Sequence, residues 1–564
     1  MSEQTGPPAA DGTRRAAPGD AGQPAPGGTG QRGGTSGRVA PVASVAGGAS
    51  PPVSVAAREI IAPAVVVVLG AVMTILDATV VNVALPTLGQ DLHATIAVIQ
   101  WVATSYLLAF AAVIPLAGWA ASRYGAKTVW LASLTLFLAG SLLAGLSPSL
   151  GALIGARIVQ GLGGGMIMPL GQAMLAQVAG PERMGRVMSV VGVPLLLAPV
   201  FGPLIGGSLI GAASWRWIFF INLPVGLIAI GLAAVLLPRS APRPGQRLDI
   251  GGAVLLSGGL ALFLFGLTQV SQHSQAATPG TVAALGTVAA LGPMVAGALL
   301  VGWFVRHACR TAHPLIDLRM LRQRGFVAGA AVNFVLGTAL FGAALLLPLY
   351  FEIVRGRSPL QTGLLLAPQG LGAATTIALA GYLTDKAGAR RVVPAGVLLA
   401  LAGTGWYTQI GPHTPYWALT AALFLIGAGL GATITPAMAA AFQGLPRPAM
   451  GQATSAMNVV QRVAAALGSA LLAIVLQQAI AARLAGYRGG IGQTAAIAAA
   501  SPRVAAAVAQ AFGSAFSVAF GITALALVPA ILLPGRAARP APLHPETPQP
   551  GPLHPETPQE GRSS

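Results

Sequence analysis

The chain has a single cysteine, Cys309, which excludes an internal disulfide and any cysteine cage for a metal ion. Charge is also scarce. Only 8% of the 564 residues are charged, against about 25% in an average soluble domain, and a soluble chain of this length could not solvate its surface with so few. Acids are the rarer sign, 14 against 32 basic residues, and lysine occurs only as Lys127 and Lys386. There is no Gly-x-x-x-x-Gly-Lys-Ser/Thr loop to cradle phosphates, so ATP is not the direct energy source. A membrane enzyme would need catalytic acids or a metal-binding acid pair in a large outer loop, and a receptor would need an output domain. The chain offers neither, and no enzyme activity, metal or cofactor is expected.

What is present is apolar. Hydrophobic residues make up 54% of the chain, with 74 Gly and 44 Pro. A net charge of +18 would point to nucleic acid in a soluble protein, but here the basic residues set orientation in a bilayer, and no nucleic-acid partner is expected. Residues 1–58 are Gly, Pro, Ala, Ser and Thr with scattered Arg. Such a segment cannot bury enough surface to offset its ordering entropy and is expected to be disordered. No apolar stretch follows a short basic start, so no cleavable signal peptide is expected there. Residues 536–564 form a second low-complexity tail, in which Pro542 to Gln549 is repeated at Pro552 to Gln559.

Between the tails, apolar runs of the roughly 20 residues needed to cross a bilayer core recur near 61–84, 96–119, 128–147, 150–178, 186–210, 216–237, 250–270, 281–305, 326–350, 362–383, 392–410, 415–442, 452–478 and 511–533. None shows the alternation of a barrel strand, so the expectation is an all-α membrane protein with 14 transmembrane helices. With the N-terminus inside, 24 basic residues fall in cytoplasmic segments and 6 in outer ones. That bias places both termini in the cytoplasm.

The halves echo each other. Gly118 to Lys127 resembles Gly381 to Arg390, Gly164 to Pro169 aligns with Gly431 to Pro436, and Met184-Gly185 with Met450-Gly451, all at nearly one offset. Two six-helix bundles about a central site is a transporter plan. The expected organisation is a first bundle at 59–238, two linker helices with their loops at 239–325, and a second bundle at 326–535. The two extra helices are then those near 250–270 and 281–305.

Five motifs in register resemble the fourteen-helix drug:proton antiporters of the major facilitator superfamily over roughly residues 60–535. Leu76 to Pro86 is similar to that group's first-helix motif, and Gly118 to Lys127 to the loop 2–3 motif of the superfamily. Arg157-Ile-Val-Gln160-Gly161 is similar to the fourth-helix motif, Ala198 to Gly207 to the fifth-helix antiporter motif, and Trp215 to Pro224 to the start of helix 6. Ser122 stands where the family has Asp in the loop 2–3 motif, whereas the second-half copy keeps Asp385. The resemblance implies a major-facilitator fold, a proton-coupled exporter of a lipophilic drug or antibiotic in the cytoplasmic membrane, and a monomer whose partners are substrate, protons and lipid. Proton-coupled uptake of a small solute by the same fold is the alternative, and the Gly-Pro motif typical of exporters argues against it.

Of the acids, only Asp77 lies well inside a span. An intramembrane acid costs about 2.5–3.5 kcal/mol on insertion scales and needs a partner or a reason; its reason here is proton loading, with Arg157 facing it from the fourth span. Gln160, Gly161 and Gly164 share the helical face of Arg157. Thr74 lies on the face of Asp77. Thr454, Asn458, Gln461 and Arg462 form a polar stripe on the thirteenth span, read either as cavity lining or as an interhelical brace, and the tenth offers Gln369, Thr375 and Thr376 but no acid. The expected cavity is Thr74, Gln160, Gln369, Asn458, Gln461 and Arg462, suited to a neutral, monocationic or anionic compound and not to a dication. The moving parts are expected at Ser122, Arg123, Gly125 and Asp385 in the two loop motifs, and at Pro199, Gly202, Pro203, Gly206 and Gly207 in the fifth span. There, prolines kink the helix and glycines permit close approach.

Overall fold

The computed structural model describes residues 53–237, 247–275, 281–443, 445, 449–484, 494 and 501–535. The expected tails, apart from residues 53–58, and the tandem repeat lie outside the described residues. Every described element is helical. The principal helices are α1 (Val53–Asp91), α2 (Trp101–Val113), α3 (Ala117–Tyr124), α4 (Ala126–Gly145), α5 (Leu150–Ala212), α6 (Asn222–Leu236), α7 (Ile250–Gln275), α8 (Thr281–Arg310), α9 (Arg324–Leu349), α10 (Pro359–Ala387), α11 (Ala389–Tyr407), α12 (Tyr416–Phe442), α13 (Met450–Arg483) and α14 (Pro502–Leu525). A helical turn, Ile114–Leu116, joins α2 to α3, with Pro115 interrupting the hydrogen-bond ladder.

Two features differ from the sequence reading. The runs near 150–178 and 186–210 are not separated by a break in helical assignment: α5 is continuous for 63 residues. Drawn out straight it would measure about 94 Å, yet Leu153 and Ile154 at its start pack in one cluster with Leu209 and Ile210 at its end. It therefore doubles back into two antiparallel arms. Secondly, among the described residues twelve helices are long and apolar enough, by length and composition, to cross a membrane. The runs at 186–210 and 392–410 are not among the twelve. Most side chains of the first lie outside those described, and Arg390 and Arg391 cut into the apolar length of α11. α8 turns Leu291, Val295, Leu299 and Trp303 outward on one face, the pattern of a helix in contact with lipid rather than water.

The internal repeat is visible in the backbone. Gly125, between α3 and α4, has φ 87° and donates its N–H to Ala121 O; Gly388, between α10 and α11, has φ 82° and donates to Thr384 O. Both positions require the left-handed φ that glycine alone adopts without strain, so the two loop motifs make the same turn.

The apolar cores are joined at one end and separate at the other. At the end bearing Gly125, one cluster runs from Val67, Trp130 and Leu170 in the first half to Phe326, Met438, Phe442, Met450 and Met457 in the second. At the opposite end Val80, Leu88, Leu153 and Phe219 form a cluster of the first half alone. Leu346, Tyr350, Leu423, Leu476 and Phe512 form one of the second half alone. α7 lies against α2 and α13 at once, with Trp101 and Phe265 ring centroids 5.6 Å apart.

Candidate functional site

Asp77 sits midway along α1, between Met73 of the joined cluster and Val80 of the first half's separate cluster. Its carboxylate is out of contact with solvent. Arg157 Nη1 donates to Asp77 Oδ2 at 2.6 Å and also to Gln160 Oε1 at 2.7 Å. Gln160 Nε2 and Asn222 Nδ2 both donate to Asp77 Oδ1, at 2.8 and 2.9 Å. Arg157 Nε donates to the Val102 carbonyl at 3.2 Å, and the ring of Tyr106 lies 4.1 Å from the guanidinium carbon. Asn222 gives its second amide proton to Ser141 Oγ at 3.0 Å, and the Ser141 hydroxyl donates to Phe219 O at 2.8 Å.

Five elements thus converge on one carboxylate: α1, the first arm of α5, α6, α4 and α2. The spacing of Arg157 and Gln160 brings both to one face of α5, as expected from the sequence. Each Asp77 oxygen is held by at least one donor, and the guanidinium is bonded to a carboxylate, an amide and a carbonyl. Satisfaction on both sides is what allows a buried ion pair to persist. Breaking one by removing a single partner typically costs about 3–5 kcal/mol. Asn222, Ser141 and Tyr106 were not singled out from the sequence as site residues. Asn222 was in view as part of the Trp215 to Pro224 motif, but nothing in its spacing relates it to Asp77.

The expected cavity residues divide into bonded and uncommitted ones. Thr74 is buried, its hydroxyl donating to Ala71 O at 2.8 Å while its carbonyl accepts from Tyr106 OH at 3.4 Å. Gln160 has both ends of its amide in the Asp77 cluster. Asn458 donates to Gln172 Oε1 at 2.8 Å across the two halves and to Thr454 O at 2.8 Å. Gln369 and Gln461 are partly buried, and neither side chain has a hydrogen bond within the described residues. Arg462 stacks on the Phe110 ring at 4.1 Å, a contact from α13 of one half to α2 of the other. Phe110 in turn meets Tyr106, centroids 5.7 Å apart. The two guanidiniums are therefore linked through two neighbouring rings, each cation–π contact worth about 0.5–2 kcal/mol depending on desolvation.

At the joined end, the N–H of Gly118, free at the start of α3, donates to Ser455 Oγ on α13 at 3.1 Å. A methyl group at Gly118 would lie 2.8 Å from Gly451 O, so α3 and α13 meet backbone to backbone. Ser122 donates to Gly118 O at 3.0 Å within its own helix. Arg123 is partly buried, and its Nη1 has no hydrogen-bond partner among the described residues. Lys127 crosses to α6 and caps it, donating to Ala234 O at 2.7 Å and Leu237 O at 2.9 Å. On the second arm of α5, Gly202 packs on Thr79 and Gly206 on Val80, both of α1, while Gly207 faces open space. The side chains of Pro199, Pro203 and Asp385 lie outside the described ones. No group of three or more metal-ligating side chains occurs among the described residues.

Comparison with known proteins agrees with this architecture. A family model described as Major Facilitator Superfamily matches residues 67–469. A protein of Mycobacterium tuberculosis (strain H37Rv) named "Multidrug resistance protein B homolog" is 40% identical over 500 residues, covering 85% of this chain and 91% of that one. A "Putative multidrug resistance protein MdtD" of Pectobacterium atrosepticum is 30% identical over 414 residues, covering 73% and 86%. Among solved structures, the human organic anion transporter MFSD10 (TETRAN) superposes with a TM-score of 0.56 at 18% identity, covering 85% of this chain and all of that one. The proton:xylose symporter XylE does so with a TM-score of 0.53 at 14% identity, covering 82% and 95%. At such identities the structural likeness concerns the fold alone.

Proposed function

Since the chain belongs to the major facilitator superfamily, we propose that it exports lipophilic drugs or antibiotics across the cytoplasmic membrane in exchange for protons. It does so as a monomer of fourteen transmembrane helices with both termini in the cytoplasm. The twelve apolar helices, the second arm of α5 and α11 make up the fourteen. Relatives that match most of the chain are named multidrug resistance proteins, which supports efflux of this kind.

The observation that carries proton coupling is the buried Asp77 cluster. With the basic loops inside, the joined end of the bundle is cytoplasmic and the conformation faces outward. Asp77 here accepts from three side-chain donors. Protonation takes one charge from its pair with Arg157 and turns one oxygen from acceptor to donor, so all three contacts cannot survive unchanged. The links from α1 to α5 and α6 loosen together, and Arg157 is freed to seek other acceptors. A bound proton in this way alters the packing of three helices that flank the centre. Release of the proton to the cytoplasm restores the cluster and the outward state. Inward movement of one proton supplies about 2.3 kcal/mol per 100 mV and about 1.36 kcal/mol per pH unit, sufficient to sustain a substantial outward gradient of substrate.

The test is substrate-dependent proton exchange by the purified protein in liposomes, with a toxicity panel in a pump-deficient host to supply substrates. Asp77→Asn is expected to abolish the exchange while the protein still inserts. An Asp77→Asn protein that exchanges protons as the wild type does overturns the assignment.

A further inference from the structure

We infer that Arg462 is the docking point for an anionic group, a carboxylate or an acid of similar size, on the compound carried; this deepens the export reading and rests on it. Arg462 lies on α13 just past Met457, the last fully buried residue that α13 contributes to the joined core, and before Leu472, where the separate core of the second half begins. It therefore stands at the floor of the region where the two halves part. Its guanidinium carbon lies 4.1 Å from the centre of the Phe110 ring, a contact that engages none of its N–H groups in a hydrogen bond.

The other guanidinium of the centre provides the contrast. Arg157 bonds a carboxylate, an amide and a carbonyl. Arg462 makes no hydrogen bond and no ion pair among the described residues. Asp77 does not serve it: its oxygens accept from Arg157, Gln160 and Asn222. Within the apolar spans of the second half the nearest thing to another acid is Glu352, in the last turn beyond α9, at the far end of that half. Arg462 is partly buried; partial removal from water without a counter-charge is unfavourable for a cation, and a ring face compensates only in part. A ligand carboxylate would meet the planar fork with two parallel hydrogen bonds. The rings of Phe110 and Tyr106 beside it are buried and back the guanidinium from the protein side, and Gln461, the neighbour of Arg462 in the chain, is partly buried and retains an unbonded amide. The site is suited to a compound with one acid group.

The experiment is binding of a matched pair, naphthylacetate and its neutral amide, to the full-length protein in nanodiscs of zwitterionic lipid, with no proton gradient applied. The wild type is expected to prefer the acid by about tenfold or more, as one charge-assisted bidentate contact would give. Arg462→Gln is expected to erase the preference, and Arg462→Lys, which keeps the charge without the fork, to hold an intermediate one. Equal binding of acid and amide by the wild type, or a wild-type preference in either variant, overturns the inference. A preference that collapses when anionic lipid is added assigns the guanidinium to a headgroup and overturns it as well. Wild-type protein that prefers the acid yet moves neither probe against a proton gradient would support the site and sink the export reading instead.

Discussion

Asn222 donates to Asp77 Oδ1 at 2.9 Å, tying the first residue of α6 to the middle of α1. The same amide reaches Ser141 on α4, so one short side chain aligns three helices around the buried ion pair. Its replacement by Leu removes a hydrogen bond to a charged group, worth about 1.5–3 kcal/mol, and leaves Asp77 Oδ1 with Gln160 as its one remaining donor. Asn222→Leu is expected to lower the thermal unfolding temperature in detergent and to cut proton-coupled export by an order of magnitude or more. Wild-type stability and export in this variant would mean that the Asn222 contact is incidental.

The contact of Gly118 with α13 makes a second prediction. A valine at Gly118 has no room against Gly451 O, 2.8 Å from where its Cβ would lie. Gly118→Val is expected to hold the joined end apart, raising the reactivity of a cysteine introduced at Ser455 toward a soluble thiol reagent. Ser122 lies one turn beyond Gly118 on the same face of α3, and Gly118 packs on Gly451, the second residue of α13. A carboxylate there would meet the positive end of that helix, a contact worth about 0.3–1 kcal/mol. Ser122→Asp is therefore expected to protect the same cysteine and to slow turnover. Equal labelling of all three proteins would show that α3 and α13 do not form the moving seal.

A third prediction concerns the linker helices and pH. Asp249 stands at the start of α7, where it accepts from the Gly252 N–H at 2.8 Å and the Leu315 N–H at 3.2 Å and meets His307 Nε2 at 2.8 Å. Burial pushes its carboxyl up, but the donors from Gly252, His307 and Leu315 outweigh burial and hold it below the usual carboxylate range. A group with a lowered folded value contributes stability that is complete above its unfolded value and is lost as pH falls through the folded one. In a His307→Gln background, which removes the imidazole's own titration, Asp249→Asn is expected to lower the unfolding temperature at pH 7. The gap is expected to begin closing below about pH 4. A gap of constant size from pH 7 to pH 3 would contradict the role given to this carboxylate.

Asp77 and Arg157 were legible in the sequence because a charge inside an apolar run is conspicuous and because Arg157 shares a helical face with Gln160. The likeness of Gly118 to Lys127 with Gly381 to Arg390 was legible, whereas the positive φ shared by Gly125 and Gly388 is seen only in the backbone. Asn222 was not legible, since a residue at the junction of a loop and a helix has no periodicity to give its direction away. Tyr106 and Ser141 were hidden for the opposite reason: each sits among apolar residues of an ordinary packed face, and only the third dimension shows what it touches. The commitment of Gln160 to Asp77 rather than to open space is likewise a matter of distance between helices. The doubling back of α5 within unbroken helix escapes a reading of apolar length, which counts runs but does not follow the path between them.

The placement of α7 makes the two flanks of the molecule unlike. On one flank, where α2 of the first half faces α13 of the second, α7 packs across both, with Phe265 against Trp101. On the other, α5 and α10 meet directly, and among the described residues no linker helix is laid over them. A compound dissolved in the bilayer that approaches sideways therefore meets a linker helix on one flank and the bare seam of α5 and α10 on the other.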